Sequence, residues 1–360
     1  MVGVAMRRLL GMGALLLISA LTMGWLHGKV SSGVLTGPCD IMAAAGTPCV
    51  AGHGVTRRVL RSFAGSIFQI QRASDSATLN VGTSSTTGIV NTSGVAAFCA
   101  STTCNYSIIY DQMNTPSVGN NLPQSNPSWQ APYGTETFPG GHTLPIIAHS
   151  DGPPNQYYRN RSSTVNIPTG ASATTEYMVI KSDWNAWNGI GTYGNMENPV
   201  AFNAAGHMFA LAWGVNVAST WDATAPLGTG GGLIGAQSIP AAGIDWEAGV
   251  LLYLASGTPP TYMTIMGKYD PTINGPVGDF DVRQGDATLP TITSLCGGDC
   301  GHPNSYPVPP DFEGGLSLGE GGDGSASKGK FFEGVVAASA LSDATINSVQ
   351  ANIAAFYGAQ

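Results

Sequence analysis

The chain has 360 residues with only 22 Asp and Glu among them, and two short segments set carboxylates where chemistry could use them. The first is Ile244-Asp245-Trp246-Glu247-Ala248. In an extended strand side chains alternate between faces, so Asp245 and Glu247 share one face while Trp246 takes the other. Two adjacent carboxylates repel when both are ionised, and one then keeps its proton to higher pH. An acid or a nucleophile is prepared in this way. A strand end with both acids in water has the same sequence. The second segment is Leu318-Gly319-Glu320-Gly321-Gly322-Asp323-Gly324. Its glycines let the backbone turn tightly and approach a ligand, presenting Asp323 at the turn. An ordinary surface turn reads identically.

Other chemistries find less support. No Gly-x-Ser-x-Gly elbow occurs, and the six histidines, His53, His142, His149 and His207 among them, have no triad context. The glycines around Asp323 lack the strand and helix that frame a dinucleotide site. The regular oxygen-ligand pattern of a calcium loop is missing too. Six cysteines fall into three sequence-local couples, Cys39 with Cys49, Cys99 with Cys104, and Cys296 with Cys300. Local disulfides are the simplest connectivity and fit an oxidising compartment. No couple has the two-residue spacing of a zinc knuckle, so no metal and no organic cofactor is expected. Trp184, Trp187 and Trp221 sit among polar and glycine residues, where an indole face can stack on a sugar ring or pack in a core.

The elements that must hold these residues are strands. Stretches rich in Thr, Val, Ile and Tyr are broken by Gly, Pro, Asn and Asp about every ten residues. Tyr106 to Tyr110, Glu176 to Lys181, Met208 to Trp213, Val250 to Leu254 and Tyr262 to Met266 are examples. With 49 Gly, 23 Pro and 43% apolar residues, the composition predicts an all-β sandwich with a few short peripheral helices. Helices are expected at Gly54 to Ala64 and at Ser342 to Tyr357. In the latter, Ile346, Val349, Ile353 and Phe356 form a stripe expected to pack on the sandwich edge. Asn114 to Pro139 is long for a structureless connection and could shape a binding surface or be an inert ordered loop. Charged residues are 10% of the chain and the net charge is -8, which leaves no basic face for nucleic acid. Arg7 and Arg8 precede an apolar run from Leu9 to Leu26. That is an export-signal pattern over residues 1–27, or a retained membrane anchor. The expected product is an extracellular domain from residue 37 to 360.

Segments in order along the chain carry a resemblance to a known family. They are Gly37-Pro38-Cys39-Asp40-Ile41, Gly46-Thr47-Pro48-Cys49, Phe98-Cys99, Thr103-Cys104 and Ile108-Ile109-Tyr110-Asp111-Gln112. Gly206-His207-Met208, Ser219-Thr220-Trp221, Gly321-Gly322-Asp323, Phe332-Glu333-Gly334-Val335 and Ser348-Val349-Gln350-Ala351-Asn352-Ile353 follow. Together they resemble the catalytic domain of the α-L-arabinofuranosidase B family, glycoside hydrolase family 54. The resemblance implies a concanavalin-like β-sandwich and a retaining mechanism that releases terminal L-arabinofuranose from arabinan or arabinoxylan. Glu247 falls at the family nucleophile and Asp323 at its general acid/base, while Trp221, Asp245 and Gly322 match positions lining the sugar pocket. Cys39 with Cys49 and Cys99 with Cys104 match family disulfides.

The chain departs from the family at several points. The family's adjacent cysteines are missing from Asp183 to Asn195, which carries Trp184 and Trp187. Ala248 replaces the Asn that follows the nucleophile, and Glu320 is an added carboxylate three residues before Asp323. The Cys296 and Cys300 couple is additional, and the family's arabinose-binding module does not follow the last helix. A sugar-binding, lectin-like protein on the same fold is the alternative that these departures favour, while Glu247 and Asp323 favour the enzyme.

Overall fold

Thr174–Lys181 shows how the fold is organised. Along it Tyr177 and Val179 enter one buried apolar cluster, while Met178 and Ile180 enter another. A strand that alternates between two cores reads as continuously apolar, because both of its faces are covered. The computed structural model describes residues 36–113, 119–149, 156–160, 164–181, 193–196, 208–215, 240–245, 250–254, 259–273, 278–298, 300, 311–321, 325–326 and 329–358. The expected export segment, residues 1–27, lies outside them.

Thr174–Lys181 belongs to an eight-stranded sheet in the order Ile292–Ser294, Asp279–Asp286, Tyr262–Asp270, Thr174–Lys181, Gly329–Ala337, Thr143–His149 and Tyr133–Thr137. Cys49–Gly54 is the eighth strand and pairs with the far end of Gly329–Ala337. A six-stranded sheet faces it, ordered Val250–Leu254, Pro240–Asp245, Phe209–Val215, Tyr193–Met196, Gly315–Leu318 and Tyr158–Arg159. Between the sheets Met178, Ile265 and Val282 meet Phe209, Leu211, Trp213 and Ile244. The approach is close at Gly267, where a Cβ would lie 2.9 Å from a Leu211 methyl carbon and 3.0 Å from Ile244 Cγ1. Ser66–Arg72, Thr78–Gly82, Cys104–Ile109 and Leu122–Pro123 form a four-stranded sheet that extends the same core through Phe68, Ile70 and Tyr106. The fold is therefore the all-β sandwich that the composition predicts. The five expected strands form within Cys104–Ile109, Thr174–Lys181, Phe209–Val215, Val250–Leu254 and Tyr262–Asp270.

The helices differ in part from expectation. Asp343–Tyr357 forms as read, with the Ser342 hydroxyl accepting the Thr345 N–H at 3.3 Å. Its stripe of Ile346, Val349, Ile353 and Phe356 shares a buried cluster with Tyr177, Phe332 and Val335 in the eight-stranded sheet and with Ile292 on the edge strand of that sheet. Gly54 to Ala64 is not a helix. Its donors leave the segment: the Val55 N–H goes to Phe332 O, the Arg58 N–H to Gly88 O and the Val59 N–H to Gln112 Oε1. Val55, Arg57, Arg58 and Val59 are buried on a non-helical chain, which satisfies its backbone through neighbours. The first helix is instead Pro38–Ala44, with Pro38 in its first turn and Asp40 Oδ2 accepting the Gly37 N–H at 2.7 Å. Within the proline-rich region the described part is ordered, with Leu122–Pro123, a 3₁₀ turn Pro127–Trp129 and Tyr133–Thr137. All three cysteine couples are disulfides. Of the three Asn-x-Ser/Thr sequences, Asn160 is closed to modification in the folded chain, being 2% exposed with its N–H bonded to Leu316 O.

One ion pair ties these layers together. Arg57 Nε and Nη2 each donate to Glu333 at 2.7 Å, and Arg57 Nη1 donates to Asn352 Oδ1 at 3.0 Å. Glu333 also accepts from Tyr177 Oη at 3.2 Å and Tyr357 Oη at 2.9 Å. Thr56 Oγ1 lies 2.7 Å from Tyr357 Oη and donates to it, since the tyrosine proton is already committed. The guanidinium lies 4.5 Å from the centre of the Phe356 ring. A bulge aims the acid: the register with Thr174–Lys181 skips Phe332, so Phe332 and Glu333 both meet the helical side. Burial alone would make Arg57 easier to deprotonate, but the charge and bonds of Glu333 outweigh it and push the guanidinium up. Removing one charge strands the other in the core. Glu333→Gln is expected to destabilise the fold by about 3–5 kcal/mol in urea unfolding; a loss below about 1 kcal/mol would show that the pair is dispensable.

Candidate active site

The two carboxylates singled out by sequence follow two strands of the six-stranded sheet. Asp245 ends Pro240–Asp245 and pairs with Ala210 on one side and Val250 on the other. Residues 246–249 link Asp245 to Val250, so Glu247 belongs to a four-residue connection between paired strands. Gly315–Leu318 leads through Gly319 to a short hairpin in which Glu320 pairs with Ala326 and Gly321 with Ser325. Residues 322–324 link its strands and contain Gly322 and Asp323. Trp221, Glu247, Gly322 and Asp323 lie outside the described residues, as do Trp184, Trp187 and His207, and Asp245 is placed by its backbone. The expectation that Asp245 and Glu247 share a strand face therefore also lies outside them.

Register relates the two ends. Asp245 is level with Ala210, Ala210 with Gly194, and Gly194 with Ser317. The strand before Glu247 and the strand before Asp323 thus stand three strand steps apart and run antiparallel.

The described residues beneath this sheet hold buried polar groups. Glu176 is fully buried; its Oε1 accepts the Asn195 N–H at 3.0 Å, and its Oε2 has no hydrogen-bond partner among the described residues. Burial pushes this carboxyl well above the ordinary range, more than the Asn195 bond lowers it. The carboxyl is lodged against the strand Tyr193–Met196 between the two sheets. Gly194, at φ +133°, is obligatory there, because a Cβ would lie 1.6 Å from Glu176 Oε2. Asn195 Oδ1 in turn accepts the Gly314 N–H at 3.0 Å, which fixes the start of Gly315–Leu318.

Two histidines complete the support. His53 Nε2 donates to Asn120 O at 2.8 Å, so its Nδ1 accepts from Tyr193 Oη at 3.0 Å. His149 Nδ1 donates to Gln156 O at 2.9 Å, and burial lowers its pKa to about 4. His142 stacks on Phe356 near the C-terminal helix. The sequence reading used none of these groups. The signal for Glu176 was present, a lone acid in the strand Thr174–Lys181 whose other side chains are apolar, β-branched or at its last position.

Residues 38–358 match the family profile described as "Alpha-L-arabinofuranosidase B, catalytic". The chain belongs to this family. It is 32% identical over 351 residues to a probable α-L-arabinofuranosidase B of Aspergillus terreus, covering 91% of this chain and 64% of that protein. An α-L-arabinofuranosidase of Hypocrea jecorina is 32% identical over 335 residues, covering 89% of this chain and 63% of the relative. The chain therefore spans less than two thirds of the length of these relatives. Among solved structures, a GH54 α-L-arabinofuranosidase soaked with a cyclic sulfate inhibitor superposes with a TM-score of 0.72 at 29% identity, over 89% of this chain and 66% of that one. An arabinofuranosidase complexed with arabinofuranosyl-α-1,2-xylobiose gives 0.72 at 30% identity, over 89% and 65%. These matches also account for the segments that carried the family resemblance.

Glu176 makes stability depend on pH with a defined sign. Above the ordinary carboxyl value of 4.5 the unfolded chain releases a proton that the folded chain retains, so stability falls as pH rises from there towards the raised folded value. Glu176→Gln is expected to flatten this decline, narrowing its melting-temperature gap to the unsubstituted protein, or reversing it, between about pH 4.5 and pH 8. Parallel melting curves for the two proteins across that range would contradict a neutral buried acid.

Proposed function

We propose that this chain is the catalytic domain of an exported, retaining α-L-arabinofuranosidase that releases terminal arabinofuranosyl groups from arabinan or arabinoxylan. The observation that carries the reading is the family match over residues 38–358, which includes both carboxylate segments. Glu247 attacks the anomeric carbon as Asp323 delivers a proton to the departing oxygen. The bond to the aglycone breaks and an arabinosyl ester of Glu247 forms. Asp323, now ionised, takes a proton from water, whose oxygen displaces Glu247 and restores the starting configuration. Asp245, Trp221 and Gly322 line the sugar.

Geometry sets a demand on this mechanism. Retaining chemistry needs the two carboxyl groups about 5–5.5 Å apart, whereas three strand steps separate Asp245 from Ser317 by roughly 14 Å. The two connections have to close the remaining distance between Glu247 and Asp323. Three disulfides and an N-terminal apolar run support export. No protein cation or metal is needed to balance either step.

The test is hydrolysis of an aryl α-L-arabinofuranoside followed by proton NMR, beside Glu247→Gln and Asp323→Asn. Arabinofuranose released first as the α-anomer is expected, with turnover reduced by a factor of about 10² or more in each variant. Sugar binding without turnover on a panel of aryl glycosides would favour a lectin-like protein.

A further inference from the structure

His149 meets the chain just before the hairpin that bears Asp323, at Gly319, and again at Gly329, three residues after it. At the entry, Gly319 turns the chain out of Gly315–Leu318 at φ +90°, and a Cβ there would lie 2.5 Å from His149 Cε1 and 2.7 Å from Nδ1. The imidazole fills the space that any side chain at 319 would take. At the exit, Gly329 is paired in register with His149 itself as the chain enters Gly329–Ala337. One residue thus sets the entry through its side chain and the exit through its backbone. The chain between Gly319 and Gly329 has a fixed base there.

The ring is held in turn. Nδ1 donates to Gln156 O at 2.9 Å, since a carbonyl only accepts. The ring edge meets Tyr158 at a centroid distance of 6.4 Å and an angle of 75°, and Tyr158 pairs with Leu318, the residue before Gly319. The side chain is 7% exposed, and Nε2 is buried with no hydrogen-bond partner among the described residues. Packing alone does not explain a histidine at this place. An apolar ring would fill the same volume without burying an unsatisfied nitrogen.

We propose that His149 is the positioning residue of the acid/base: its ring, tethered to Gln156, fixes the base of the 320–326 hairpin and thereby the approach of Asp323 to the departing oxygen. The proposal rests on the arabinofuranosidase reading. His149 stays neutral and moves no proton itself. Loss of its alignment should therefore harm acid assistance and leave nucleophilic attack by Glu247 largely intact.

The leaving group separates these effects. With a very acidic phenol the departing oxygen needs no proton, whereas with a weakly acidic phenol it does. His149→Phe keeps a ring against Gly319 and loses the tether; His149→Asn keeps an N–H donor and loses the ring. Both are assayed as the purified chain on aryl α-L-arabinofuranosides spanning a range of phenol acidity. The expected result is a steeper dependence of kcat/KM on leaving-group acidity, with a fall of about tenfold or more on the least acidic phenol and little change on the most acidic. Azide, which needs no base to displace Glu247 from the anomeric carbon, should restore part of the lost turnover. A purely structural role would scale all substrates by one factor. An unchanged slope in both variants, beside an active unsubstituted protein, overturns the proposal alone. An unsubstituted protein inert on every arabinofuranoside overturns the enzyme reading and the proposal with it. If one variant does not fold, the other still decides.

Discussion

A guanidinium and a carboxylate removed from water can be kept together only if their remaining donors and acceptors are matched, and the architecture follows from meeting that demand for Arg57 and Glu333. Glu333 lies on Gly329–Ala337, in the middle of the eight-stranded sheet. Arg57 lies in the extended segment after Cys49–Gly54, and Tyr357 and Asn352 come from the last helix. The N-terminal segment, the central strand and the C-terminal helix are therefore bound at one point. The bulge that turns Glu333 towards the helical side is a local irregularity with this global use. Gly329–Ala337 starts beside His149 and directly follows the Asp323 hairpin. The buried pair thus anchors the strand from which the hairpin hangs.

The eight-stranded sheet is rigid because both faces are packed, one by the second sheet and one by helices. The six-stranded sheet is then free to carry chemistry in the connections beyond its strands. Such connections are positioned by what holds their ends and not by their own packing. At Asp245 the holder is ladder pairing on both sides. At Gly319 it is an imidazole, and at Gly194 a buried carboxyl.

Much of the fold was legible in sequence because strands alternating between two cores leave long apolar and β-branched runs, as in Thr174–Lys181 and Tyr262–Asp270. The last helix was legible for a related reason, its cap at Ser342 and the three-and-four spacing of Ile346, Val349 and Ile353. Gly54 to Ala64 misled because local periodicity does not report a partner distant in sequence. Arg57 and Glu333 are 276 positions apart, and only the folded chain shows that the arginine is a core residue. Pro38–Ala44 was missed although Pro38 and Asp40 are both helix-start signals, since a seven-residue helix is too short to show a periodic stripe. At the site, the identities of Glu247 and Asp323 came from ordered motifs. His149 and Glu176 did not, because their significance lies in a missing Cβ on a facing strand, at Gly319 and at Gly194, which no spacing along one segment reveals.

Glu176 and His149, both buried at this sheet, share one property, that burial disfavours their charged forms. Burial raises the Glu176 carboxyl and lowers the His149 imidazole to about 4. Asp323, by contrast, has to begin protonated and finish ionised. A nearby cation would hold its proton affinity too low for the first step, and a nearby anion too high for the second. In the proposed mechanism the charge of Glu247 is lost on ester formation and regained on hydrolysis. The proton affinity of Asp323 then falls when it serves as base and rises when it serves as acid, with each change driven by its partner's chemistry.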